Sequence, residues 1–151
     1  MPIRCEIVTQ ERTVFSGDVD SVSLPGSEGR MGILPKHTPL LTTLGFGEVV
    51  VRVGGQEEYF AIGGGFAEIQ PDKVVILADS AEHAEEIDIE RAEKAREHAE
   101  QLMKEGVPED PERYAQIRAS LQRAQIRIDV ARRRRRRRAM PTGRESFEDQ
   151  E

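Results

Sequence analysis

Apolar residues alternate with polar ones in short runs from Ile3 to Asp79, and from there on they recur at helical spacing. Ile3 to Val8 predicts a first strand. Thr13 to Leu24 alternates Val14, Val19, Val22 and Leu24 with polar residues, with a turn or bulge expected at Gly17-Asp18. Pro25 to Gly29 is turn chemistry, Met31 to Leu34 is a short strand stopped by Pro35, and Pro39-Leu40-Leu41 restarts the chain. Glu48 to Val53 predicts a strand that ends at a Gly54-Gly55 hairpin turn. Glu58 to Ile62 leads into Gly63-Gly64-Gly65, read as a tight turn between strands. Phe66 to Ile69 and Lys73 to Ala78 then flank a turn at Gln70-Pro71-Asp72. Many short strands punctuated by glycine and proline predict an antiparallel sandwich or barrel.

The second half predicts two helices. Asp88 is a suitable N-cap, followed by a seam of Ala92, Ala95, Ala99 and Leu102, with Gly106 and Pro108 as the stop. Asp110-Pro111 opens the next helix, whose seam is Tyr114, Ile117, Leu121, Ala124 and Ile128. Two matched seams and a short connection make an antiparallel helical hairpin. Apolar burial contributes roughly 25 cal/mol per Å², and an alanine methyl offers little area. The hairpin is therefore expected to be held weakly and to be able to change partners.

Charge sharpens this division. Residues 1–84 carry six Lys/Arg and twelve Asp/Glu, whereas residues 85–151 carry sixteen of each, with seven consecutive arginines from Arg132 to Arg138. Seven adjacent guanidinium groups cover every face of a helix, so they are not one side of an amphipathic stripe. Nucleic-acid phosphate or an acidic protein segment would fit them, and a solubilising tail is the plainer alternative. The net charge of -6 and the lack of an aromatic residue among the arginines argue against nucleic acid. Pro141 to Glu151 is polar and acidic and predicts a disordered tail.

Catalytic chemistry is hard to place. The lone Cys5 rules out an internal disulfide and reads as a buried structural thiol. His37, His83 and His98 are far apart and lack companions at metal-ligand spacing. No phosphate-loop pattern or nucleophile–base pair stands out. The N-terminus lacks the apolar stretch of a signal peptide, and no run approaches the roughly 20 apolar residues of a spanning helix.

The segment Gly26-Ser27-Glu28-Gly29-Arg30-Met31-Gly32-Ile33-Leu34-Pro35-Lys36-His37-Thr38-Pro39-Leu40-Leu41 closely resembles the signature of the epsilon subunit of F-type ATP synthase. Phe15-Ser16-Gly17, Gly63 to Ile69, Leu77-Ala78-Asp79 and Ile87-Asp88-Ile89-Glu90-Arg91-Ala92 match in order and spacing. The resemblance covers roughly residues 2–130 and excludes the arginine run. It implies the α+β fold that the pattern also predicts, an antiparallel β-sandwich followed by an antiparallel helical hairpin; the expected domains are the sandwich over residues 1–84, the hairpin over 85–138 and, from composition alone, a disordered acidic tail over 139–151.

The resemblance also implies a non-catalytic subunit of the central stalk, without direct membrane insertion. Its implied partners are the gamma subunit, the c-ring, and the alpha and beta subunits of the catalytic hexamer. The implied location is the cytoplasmic side of a bacterial membrane. In the family this subunit helps couple proton flow to rotation, and its helices lie folded on the sandwich or extend to inhibit ATP hydrolysis. The ring-facing residues would be Arg30, Gly32 and His37, with Arg30 standing where relatives often carry an acid. Some relatives bind ATP as a regulatory ligand. The matching positions are Glu82, Ile87, Asp88, Arg91, Ala92, Arg123 and Arg127, with His98 replacing a family arginine. Basic residues of the second helix meet an acidic loop of beta in the family, so Arg132, Arg133, Arg134, Arg135, Arg136, Arg137 and Arg138 are expected to extend that contact and to strengthen inhibition. A β-domain adaptor with a nucleic-acid-binding tail is the competing reading.

Overall fold

The computed structural model describes residues 2–106 and 109–139, with no side-chain description at 138 and 139. The expected acidic tail and Pro108 lie outside the described residues. Eight strands come first: β1 (Ile3–Val8), β2 (Thr13–Val19), β3 (Ser21–Gly26), β4 (Gly29–Ile33), β5 (Leu40–Val53), β6 (Gln56–Ile69), β7 (Lys73–Ala78) and β8 (Ala81–His83). A 3-10 turn (Ala84–Glu86) leads to α1 (Ile89–Lys104) and α2 (Pro111–Ala139).

The strands run in the order β2-β1-β7-β6-β5-β3-β4, with β8 beside β6. Their inner faces pack on one another: Phe15 of β2 meets Phe60 of β6 edge-on, ring centroids 5.6 Å apart. Ile3, Cys5, Ile7, Val22, Leu24, Val49, Val51, Ile62, Val74 and Ile76 fill the space between, all fully or nearly fully buried. Each comes from the apolar phase of its strand, as period-two alternation requires. The result is the expected β-sandwich followed by a helical hairpin.

The sandwich departs from the sequence reading in particular places. No turn forms at Gly17-Asp18: Gly17 and Asp18 are paired with Cys5 and Arg4 inside β2, and the chain only bends at Asp20 before β3. Pro25 and Gly26 belong to β3, and the turn there is only Ser27-Glu28. β5 begins at Leu40, well before Glu48. One pairing, β1 with β7, is parallel.

Gly63-Gly64-Gly65 is not a turn but the middle of β6. The β5–β6 register runs without a shift from Leu40↔Ile69 to Val53↔Gln56, with only Gly45 and Gly64 left out of the ladder. At the triplet the neighbour on the other side changes: Gly65 pairs with Ala78, the Asp79 amide donates to Gly64, and the Gly63 amide donates to Ser80. A Cβ on Gly65 would sit 2.1 Å from the Leu77 carbonyl oxygen, and its φ of +130° is one that L side chains rarely adopt. The glycines mark a close backbone crossing, which composition alone cannot distinguish from a turn.

Both helix starts form as predicted. The Asp88 carboxylate accepts from the Arg91 amide, and Asp110 accepts from Glu112. Ala92 and Ala99 of α1 pack with Ile117, Ala124 and Ile128 of α2 as buried residues, whereas Ala95 is exposed and does not belong to the seam. A second apolar stripe on α2, centred on Val130 and Ala131, packs on the outer face of the sandwich against Tyr59, Ala61, Ala84 and Ile87. That seam is small. Arg–Glu pairs to Glu82, Glu85 and Glu93 surround it.

Candidate functional site

The outer face of the β5–β6 hairpin carries Glu48, Val50 and Arg52 opposite Ala61, Tyr59 and Glu57, and α2 lies across it. The arginine run, unpaired by any sequence pattern, meets carboxylates of its own chain here. Arg134 Nη2 donates to Glu85 Oε1 at 2.6 Å, and Arg132 Nη2 to Glu93 Oε1 of α1 at 2.7 Å. Arg133 and Arg137, one turn apart on the same helix face, approach the buried Glu48 at 3.8 and 3.7 Å. Arg137 also lies over the Tyr59 ring, 4.4 Å from its centre. The Tyr59 hydroxyl donates to Glu57, and that hydrogen bond, helped by Arg52 and against partial burial, holds the Glu57 carboxyl below its usual range. Arg135 and Arg136 face solvent.

Earlier on α2, Arg127 grips Glu82 with two hydrogen bonds, Nε to Oε2 at 2.6 Å and Nη2 to Oε1 at 3.2 Å. The two side chains are only 22% and 26% exposed. Beside them a cleft of about 340 Å³ separates α2 from the sandwich, and Arg12, Glu82, Arg123 and Arg127 line it. Of the residues expected to hold ATP, three therefore converge: Glu82, Arg123 and Arg127. The others do not. Ile87 and Ala92 are buried in packing seams, Asp88 is engaged as the α1 cap, and exposed Arg91 lies outside the cleft lining.

β4 is an edge strand. Arg30 and Gly32 alternate on it and border one cleft with Arg133 and Arg137. Arg30 Nη2 donates to Ser23 Oγ at 2.7 Å. His37 lies beyond the strand, its Nδ1 2.7 Å from the Thr38 carbonyl oxygen, and does not line that cleft.

Sequence reasoning missed an apolar surface. Phe66 and Leu77 are cross-strand partners on the outer face of β6 and β7, 52% and 56% exposed, and Leu41 on β5 is 70% exposed. The alternation was legible: Ala67 and Ile69 point inward, so Phe66 must point out. Among the described residues no group of three or more His, Cys, Asp or Glu is arranged to hold a metal, and no helix is long and apolar enough to cross a membrane.

A sandwich over residues 2–84 matches the model described as the ATP synthase delta/epsilon chain beta-sandwich domain, and residues 85–132 match the long alpha-helix domain of the same chain. The chain belongs to the F-type ATP synthase epsilon subunit family. The ATP synthase epsilon chain of Herpetosiphon aurantiacus is 51% identical over 137 residues, covering 91% of this chain and 99% of that one. Its counterpart in Dehalococcoides mccartyi is 50% identical over 139 residues, covering 88% and 94%. Among solved structures, a chain from the c-ring-containing assembly of Euglena gracilis mitochondrial ATP synthase superposes with a TM-score of 0.70 at 27% identity, covering 82% of this chain and 78% of that chain. Epsilon subunits are stalk components of a membrane-associated complex, together with its rotor. The helical-domain match stops at residue 132, so Arg133 to Arg138 lie beyond it.

Proposed function

We propose that this chain is a non-catalytic, regulatory subunit of the central stalk, peripheral on the cytoplasmic side of a bacterial membrane. It couples proton flow to rotation and restrains ATP hydrolysis through its C-terminal helices. The apolar surface of Leu41, Phe66 and Leu77 supports docking to the gamma subunit, because exposed apolar groups gathered on one sheet face mark an interface. The edge strand carrying Arg30 and Gly32 supports contact with the c-ring, with His37 at its end.

The observation that carries the regulatory reading is the way α2 is fastened. A small apolar seam rimmed by Arg–Glu pairs is a contact that can open without unfolding the sandwich. Docked, Arg132, Arg133, Arg134 and Arg137 are paired within the chain. The arginine run thus favours the resting position, and only after release are the same groups free for an acidic surface of the alpha and beta subunits. The expected strengthening of inhibition therefore gives way to the opposite sign. Replacing Arg133, Arg134 and Arg137 by Gln together should lower the ATPase activity of the assembled complex, and truncation after Glu86 should raise it. Unchanged activity in both would remove the regulatory role.

ATP as a regulatory ligand is a second reading, supported by the cleft that gathers Arg12, Arg123 and Arg127. Calorimetric titration of the full chain tests it. No heat at millimolar ATP ends it.

A further inference from the structure

Glu48 is a buried carboxylate at 3% exposure. Its Oε1 faces Arg133 and Arg137, and its Oε2 has no hydrogen-bond partner among the described residues. A buried, unsatisfied acceptor is costly and calls for a donor. It sits in a cleft of about 580 Å³ between α2 and the outer face of β3, β4 and β5. Small side chains on β3 and β4, Ser21, Ser23 and Gly32, leave part of that space open, and a Cβ on Gly32 would touch nothing within 4 Å.

Cations exceed anions in this cleft. Arg30, Arg52, Arg133 and Arg137 line it with Glu48 and Glu57. Arg52 is taken by Glu57 at 2.8 Å, which leaves three guanidinium groups around one carboxylate. Loss of water at its head holds the Arg30 guanidinium below its ordinary value, Glu48 opposes this, and Arg133 and Arg137 reinforce it.

A ligand that fits would accept hydrogen bonds from several arginines and, on the same small frame, donate one to the Glu48 carboxylate. We propose that this cleft binds inorganic hydrogen phosphate, its anionic oxygens held by Arg30, Arg133 and Arg137 and its P–OH donated to Glu48. Near neutral pH each form of inorganic phosphate keeps at least one hydroxyl. Sulfate has none, and a phosphate monoester, with a second pKa of about 6, has lost its own by pH 8. A carboxylate acceptor thus turns a generic anion site into one selective for the protonated ion. The anion joins β4 of the sandwich to α2, in a cleft separate from the one that holds Arg123 and Arg127.

The test is calorimetric titration of the full-length chain with sodium phosphate, sodium sulfate and AMP at pH 8 and matched ionic strength. Phosphate should bind saturably, one per chain, with sulfate and AMP at least tenfold weaker. Arg30→Gln and Arg137→Gln should each weaken phosphate binding at least tenfold, and Arg135→Gln, on the solvent side of α2, should leave it unchanged. Equal affinity for phosphate and sulfate, equal affinity for AMP, no saturable phosphate binding, or an equal loss in Arg135→Gln would each overturn the proposal. The anion comparison uses the unaltered chain, so it stands even where a variant fails to fold.

Discussion

Replacing Arg127 by Met keeps the long stem and the helix propensity of α2 but deletes the charge that grips Glu82. An exposed ion pair contributes about 0.2–1 kcal/mol, and a hydrogen bond to a charged group about 1.5–3 kcal/mol. This pair has two hydrogen bonds, at 2.6 and 3.2 Å, yet each partner keeps about a quarter of its surface in water. Solvent screening discounts the larger figure, and a coupling of about 1–2 kcal/mol remains, a factor of roughly 5–30 in an equilibrium. The effect belongs to the docking of α2 and not to the sandwich. Hydrogen exchange resolved along the chain reads it directly. Amides of residues 123–137 should exchange roughly 5–30 times faster in Arg127→Met, while those of β1 and β7 stay as they were. A double-mutant cycle with Glu82→Gln isolates the pair, and added salt should shrink the coupling. A coupling below about 0.3 kcal/mol, within the error of additivity, would refute the claim that charge fastens the helix.

Gly65→Ala should cost more than about 3 kcal/mol, because its Cβ would meet the Leu77 carbonyl oxygen at 2.1 Å in a backbone with φ of +130°; Gly32→Ala, into open space, should stay within about 0.5 kcal/mol in a thermal melt. Burial, and then Glu6, push the Cys5 thiol from 9.0 up to about 12. Native Cys5 should therefore resist alkylation at pH 8 and react only on unfolding. Because the folded value is the raised one, this group's contribution to stability is complete below pH 9 and is lost as the pH rises toward 12, which melts taken between pH 8 and 11 can follow. Phe66→Glu and Leu77→Glu should each weaken co-purification with the gamma subunit at least tenfold, since burying such a side chain contributes about 1.5–3 kcal/mol; unchanged assembly would show that this face is not the interface.

Local order was legible in the residues. Period-two alternation gave most strands, a valine run ending in Gly54-Gly55 gave the two-residue hairpin turn between β5 and β6, and Asp88 and Asp110 gave both helix starts. These signals work because propensity, capping and side-chain phase act over a few neighbouring residues. The seven-arginine motif also pointed to an acidic partner as one reading beside a solubilising tail, because like charges in sequence repel until something meets them.

Which partners they meet is a tertiary matter. Glu48 lies 85 residues before Arg133 and reads as one more charged strand residue; only the stacking of α2 on the β5–β6 face buries it and sets it between two guanidinium groups. Gly63-Gly64-Gly65 has the composition of a turn, but a neighbouring backbone passing at close range makes it the centre of a strand. The parallel pairing of β1 with β7 joins segments far apart in the chain, a choice the alternation of either strand leaves open. Sequence set the elements, their phases and the charge to be neutralised. Packing decided which faces meet, because register and docking depend on the combined shape and charge of surfaces that no local pattern contains.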